Sequence, residues 1–253
     1  MRVIVLLSCY ALICKAHQAY LDNNWLRNLP AVFLERFEII MSGRRLPVYL
    51  LLDTSGSMRG EPIESVNMGL RAMLTSLRQN PYALESVYLS IHTFDSLIHE
   101  VLPLTALEQV VLPEIRCPDS GATLLGEGLQ VVCDKVEKEV MKSSNEQKGD
   151  WRPLLFIMTD GKPSDTMAYN EMAERVKTMQ FAAVIACAAG PRAVADQLKQ
   201  LTTQVVSLDT MDSNTFSSFF QWVSATVAAG TSAAGNQPNL DLPPPPPEVQ
   251  VVI

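Results

Sequence analysis

The sequence predicts an α/β fold: a doubly wound, mainly parallel central sheet with helices on both faces. Three observations predict it. Short apolar runs at Val48 to Leu52, Pro153 to Met158 and Phe181 to Ala188 read as strands buried on both faces. Amphipathic stretches of helical spacing separate them, and repeated strand-then-helix units imply right-handed crossovers between parallel strands. Two of the runs end in a carboxylate set among small polar residues, Asp53-Thr54-Ser55-Gly56-Ser57 and Thr159-Asp160-Gly161. Open α/β sheets bind ligands at that carboxyl edge, where the strand order reverses.

The chain has 253 residues, room for one α/β domain of ordinary size with appendages. A formal charge of −7 and no Lys/Arg run argue against a nucleic-acid partner. No stretch of about 20 apolar residues exists to span a membrane as a helix. The five cysteines are odd in number and form no C-x-x-C pair. Those in the body fall within apolar patterns or a loop, which predicts reduced thiols and a cytoplasmic protein.

Residues 1–40 share no pattern with the rest of the chain. An apolar run at Val3 to Ile13 resembles a short secretory signal, but Lys15 and His17 follow at once and no small-x-small site appears. The favoured expectation is a translation start near Met41, with 1–40 outside the fold. A genuine signal or a membrane-associated extension stay open. The domain is expected over residues 41–227, with a flexible proline-rich tail over 228–253.

Pro62 suits a first helical position, and Ile63, Val66, Leu70, Met73, Leu74 and Leu77 repeat at helical spacing until Asn80-Pro81. Val87 to Phe94 is β-rich, with Leu97 to Leu102 as its hairpin partner across Asp95-Ser96. A looser segment runs to Ala122. Leu125, Leu129, Cys133, Val136 and Val140 mark the next helix, and Ser143 to Asp150 a polar loop. After the Pro153 strand come a helix carrying Tyr169, Met172, Val176 and Met179, the Phe181 strand, and a helix at Ala193 to Leu201. A strand at Val205 to Leu208 and a helix carrying Phe216, Phe219, Phe220, Val223 and Val227 complete the domain.

In the strand order 3-2-1-4-5-6 the first and fourth strands are neighbours, so Asp53 and Asp160 meet across the crevice. Gly121-Ala122-Thr123 opens the intervening helix and adds a hydroxyl to that edge. Oxygen ligands of this kind suit a hard divalent cation, Mg²⁺ or Mn²⁺, better than zinc. In order along the chain, Asp53, Ser55 and Ser57, then Thr123, then Asp160 resemble the metal-ion-dependent adhesion site of the von Willebrand factor type A family. The resemblance covers about residues 46–227. It implies that Ser55, Ser57 and Thr123 bind the metal through hydroxyls, while Asp53 and Asp160 act mainly through metal-bound water. It also implies an open coordination position that a protein partner fills with an Asp or Glu.

A narrower likeness, to the TerY-type proteins of bacterial tellurium-resistance clusters, rests on the run Arg45 to Met58, on Glu146 to Trp151 and on the proline-rich end. It implies work beside a protein kinase and a phosphatase in metal-stress response.

Catalysis is the weaker expectation. Mg²⁺ hydrolases need a placed nucleophile or base, and none stands out. No G-x-x-x-x-G-K-[ST] loop occurs. The alternative is a Mg²⁺-dependent phosphotransferase or hydrolase using Asp53 as nucleophile. An exported adhesin is a third class, conditional on the N-terminal segment. His92 and His99 fall in strands without ligand-spaced partners, and Cys133 and Cys187 read as packing residues. Cys117 precedes the Thr123 loop and could carry redox chemistry. Asp119 and Asp165 add negative charge nearby, partly offset by Lys162. Pro243 to Pro247 predicts a polyproline II rod of about 15 Å. The alternating residues after it could add as a strand to another sheet edge.

Overall fold

The computed structural model describes residues 44–118, 121–144, 148–191, 193–233 and 242–252. The expected extension over residues 1–40 and the charged Asp119 lie outside the described residues.

β1 (Leu46–Asp53) is buried along its whole length, as its unbroken apolar run requires. The other strands are β2 (Val87–Phe94), β3 (Ile98–Ala106), β4 (Leu154–Thr159), β5 (Ala183–Ala189), β6 (Gln204–Leu208) and the two-residue β7 (Gln250–Val251). They form one seven-stranded sheet in the order β3-β2-β1-β4-β5-β6-β7. β3 and β7 run antiparallel at the two edges, and the strands between pair in parallel. The doubly wound α/β fold expected from the sequence is the one observed.

The helices are α1 (Glu61–Arg78), α2 (Pro81–Ser86), α3 (Leu125–Glu139), α4 (Thr166–Thr178), α5 (Ala195–Leu198) and α6 (Ser213–Ala233). They cover both sheet faces because β1 and β4 are apolar on both. Val48, Leu50 and Leu52 share a core with Leu70 and Met73 of α1 and Phe216 and Phe220 of α6. Tyr49 and Leu51, pointing the other way, share a second core with Leu125 and Leu129 of α3 and Tyr169 and Met172 of α4. Gly69 lets α1 and α6 approach closely: a Cβ there would sit 2.2 Å from the Phe220 ring.

Four elements depart from the sequence reading. Asn80-Pro81 ends α1 as expected, but the same pair starts α2. The Asn80 side chain accepts the Tyr82 and Ala83 N–H groups, and Pro81 occupies the first turn. β3 continues to Ala106 and then tightens into a single 3₁₀ turn at Leu107–Gln109. The helix expected from Ala193 to Leu201 is only α5, because the chain closes into i→i+3 bonds such as Leu201 N–H to Leu198 O. That turn carries both Leu198 and Leu201 into the core. At the other end, α6 continues past 227 to Ala233, and the segment from Leu242 is held by Trp222 of α6 at Pro243 and joins the β6 edge only at Gln250 to Val252. No helix among the described residues is long and apolar enough to cross a membrane.

Candidate functional site

The register Leu52↔Met158 between β1 and β4 sets Asp53 beside Thr159, so both strands deliver their carboxylates to one place on the carboxyl edge. The chain after β1 turns back through a 3₁₀ turn at Gly56–Met58, bringing Ser55 and Ser57 over the strand end. Ser57 Oγ donates to Asp160 Oδ1 at 2.8 Å and lies 3.3 Å from Ser55 Oγ. The Ser55 N–H donates to Asp53 Oδ1 at 2.8 Å, and the Thr159 hydroxyl donates to Asp53 Oδ2 at 2.6 Å.

Thr123 arrives from the loop before α3. Its N–H donates to Ser164 Oγ at 3.0 Å, and its carbonyl accepts the Ser164 N–H at 2.8 Å. These two bonds clip the loop to the segment after β4. A Cβ at Gly161 would lie 3.5 Å from Thr123 Oγ1, so this hydroxyl borders the residue next to Asp160. All five residues expected from the sequence therefore gather at one edge, drawn from three separate loops.

A second layer holds these loops together, and the sequence reading missed the role of its central residue, Asp95. Asp95 is only 4% exposed and organises three loops at once. Its carboxylate accepts from Thr54 Oγ1 at 3.0 Å and from the Leu97 N–H at 3.1 Å, and its carbonyl accepts the Leu124 N–H at 3.0 Å. The signal was present as the Asp95-Ser96 turn, legible as a turn but not as a brace. Gly121 packs on that brace: a Cβ there would fall 2.9 Å from Asp95 Cβ and 3.4 Å from Ser55 Cα. Asp165, read from sequence as a charge near the site, accepts the Glu127 N–H at 2.8 Å in the first turn of α3. It ties α3 to the start of α4. Lys162 is exposed.

The electrostatics single out a cation. Asp53 and Asp160 are 1% and 2% exposed, and among the described residues neither pairs with a Lys, Arg or His. Burial pushes the Asp53 carboxyl up to about 6, against the pull of its bonds from Thr159 and Ser55, and Asp160 raises it further. Two buried acids without a counter-charge are costly unless something positive joins them. The donor set fits a divalent cation. Ser57 gives its proton to Asp160 and keeps lone pairs free, and Ser55 and Thr123 add neutral oxygens. Among the described residues no group of three or more His, Cys, Asp or Glu could hold a metal. Cys117 does not add a thiolate. Burial, then the neighbouring Asp53 carboxylate, pushes its thiol up to about 11.

Comparison with known proteins agrees with this fold. A family model, the von Willebrand factor type A domain, matches residues 48–221. No curated protein matches the chain. Among solved structures, proximal thread matrix protein 1 from the mussel byssus, with a zinc-occupied metal-ion-dependent adhesion motif, is 19% identical with a TM-score of 0.54. That match covers 73% of this chain and 48% of the mussel protein, so this chain spans about half the length of that relative. The pilus adhesin SpaC from Lactobacillus rhamnosus GG is 13% identical, with a TM-score of 0.61, over 76% of this chain and 31% of the adhesin. A von Willebrand factor type A protein from Catenulispora acidiphila is 12% identical, with a TM-score of 0.55, over 74% of this chain and 43% of the other. Identities this low establish a shared fold.

The cytoplasmic placement expected from the cysteines does not stand. The similar structures include a byssal thread matrix protein and a pilus adhesin, proteins of extracellular material. The thiols were a poor signal for physical reasons. Cys133 and Cys187 are fully buried and Cys117 is partly so, and a thiol packed in a core stays unpaired in any compartment.

Proposed function

We propose, from the premise that this chain belongs to the von Willebrand factor type A domain family, that it is a metal-dependent interaction module rather than an enzyme. Asp53, Ser55, Ser57, Thr123 and Asp160 hold one divalent cation at the carboxyl edge of the sheet. A partner protein's Asp or Glu completes the coordination. One observation carries this reading: two buried carboxylates with three hydroxyls around them and, among the described residues, no protein cation to neutralise them. Two carboxylates balance a divalent charge and the hydroxyls add none, so the ion keeps its attraction for an incoming anion.

The oxygen donors favour Mg²⁺ or Mn²⁺. Zinc belongs in the same test, since a mussel protein of this fold holds it in a motif of the same kind. The phosphotransferase alternative is disfavoured by Asp53 itself. It is 1% exposed and both its oxygens already accept hydrogen bonds, so it is poorly presented as a nucleophile. The likeness of Arg45 to Met58 to TerY-type proteins makes a protein kinase and a phosphatase the partners to test first, with tellurium or metal stress as the context.

The test is affinity capture with the full chain. Proteins retained in Mg²⁺ or Mn²⁺ should be lost in chelator and lost with Asp53→Ala. A retained set that is the same with and without metal would sink the carboxylate-donation mechanism.

A further inference from the structure

The far edge of the sheet carries a second recognition surface, independent of the metal site. We propose that the edge of β6 together with Trp222 is a peptide-docking groove, and that a second copy of this chain supplies an occupant, its own residues 242–252, in a strand-exchanged dimer.

An uncovered β6 would present a row of free N–H and C=O groups, the usual template for an added strand. Here the segment 242–252 fills it. Trp222 Nε1 donates to the Pro243 carbonyl at 2.9 Å, and Leu242 packs against the core beneath α6. Proline fixes one backbone dihedral at each of these positions, so less conformational freedom is lost on docking. The chain then turns, with the Val249 N–H bonded to Pro246 O at 3.0 Å, and Val249 enters the core at 3% exposure. Beyond it, Ser207↔Gln250 and Val206↔Val251 pair antiparallel, and the Val252 N–H donates to Val205 O at 2.9 Å. Gln250 Nε2 reaches Asp209 Oδ2 at 2.7 Å.

The segment therefore carries a recognisable code. A rigid proline stretch meets an indole donor, a buried valine follows, and a short ladder fixes direction and register. The hydrogen bonds out of this segment end on α6, on β6 or on Asp209 just after it. Each can form equally with the same segment of another molecule. Reciprocal exchange between two copies closes on itself and conserves each contact, the condition for a strand-swapped dimer. Docking within one chain dominates at low concentration because the segment is tethered, and exchange rises with concentration.

Cross-linking of full-length chains tests this. Ser207 and Gln250 face each other in register, so Ser207→Cys and Gln250→Cys placed in one chain should close an internal disulfide on oxidation. Placed singly in two differently tagged chains and mixed, they should give a disulfide-linked mixed dimer whose fraction grows with protein concentration. The same mixture without the two substitutions sets the background. Adding Val249→Asp to the Gln250→Cys chain should cut the mixed dimer by about tenfold or more, because it puts a charge in an apolar core. Trp222→Phe in the other chain, which deletes only the indole bond, should also reduce it, and serves if the aspartate variant does not fold. An internal bond without any mixed dimer at high concentration would overturn exchange. Failure of both would overturn the groove itself.

Discussion

His92 shows how a single buried residue can answer to pH. It is fully buried in β2, and the Ser90 hydroxyl that touches its Nε2 at 3.1 Å donates to Leu102 O. With that hydroxyl on Leu102 O, Nε2 is the donor to Ser90, and Nδ1 is a lone pair with no hydrogen-bond partner among the described residues. Protonation would place an N–H there facing no acceptor, and burial accordingly holds the His92 pKa below its usual 6.5. The native state then binds fewer protons than the unfolded state between the two values. Stability is fully present above about pH 6.5 and falls as pH drops from there through the folded pKa. His92→Gln keeps an N–H for Ser90 and cannot titrate. Melts at about pH 7.5 and about pH 5.5, on either side of the ordinary histidine value, should show a smaller acid loss in this variant than in the wild type. Equal losses would remove His92 as the titrating group. At this same scale, the five candidate residues could be picked out because they stand in the order and spacing of one motif, and the fold brings them to one edge. Asp95 and Ser164 were not legible, because their roles are hydrogen bonds to backbone brought close only by folding.

At the scale of elements, the loop carrying Thr123 depends on how closely it can lie against its neighbours. Gly121 is the contact point, with no room for a Cβ beside Asp95. Gly121→Ala must displace the loop, and Thr123 stands two residues on. It should weaken divalent-metal affinity by about tenfold while leaving far-UV circular dichroism unchanged, and titration calorimetry reads it directly. Unchanged affinity would mean that Thr123 contributes nothing to the site. The strands and long helices were readable because their apolar faces repeat at one period over many residues. The short elements were not. Asn80-Pro81 is both a helix stop and a helix start, and only the chain's next contact decides that both apply. The alternating residues after the prolines do add as a strand, the two-residue β7, but its partner is this chain's own β6, which no local pattern encodes.

For the molecule as a whole, the order β3-β2-β1-β4-β5-β6 follows from right-handed crossovers, and it sets Asp53 beside β4. The gathering of these side chains is thus a property of topology: three loops from distant parts of the sequence deliver oxygens to one edge. Location was not legible, because buried thiols carry no compartment signal. Everything proposed for that edge requires that a cation, and not a protein group, neutralise Asp53 and Asp160. Thermal melts of wild type and Asp53→Ala, each in chelator and in saturating Mg²⁺ or Mn²⁺, decide it. In chelator Asp53→Ala should stay close to the wild type in stability, since losing a buried acid that lacks a counter-charge offsets leaving the Ser55 N–H and the Thr159 hydroxyl without their acceptor. With metal at about 100 times its dissociation constant, mass action stabilises the wild type by about 2.7 kcal/mol, a rise of roughly 5 °C or more that the variant should lack. A wild type whose melting point ignores metal, with an Asp53→Ala variant that unfolds in chelator, would make Asp53 a structural residue and leave the edge without a metal site.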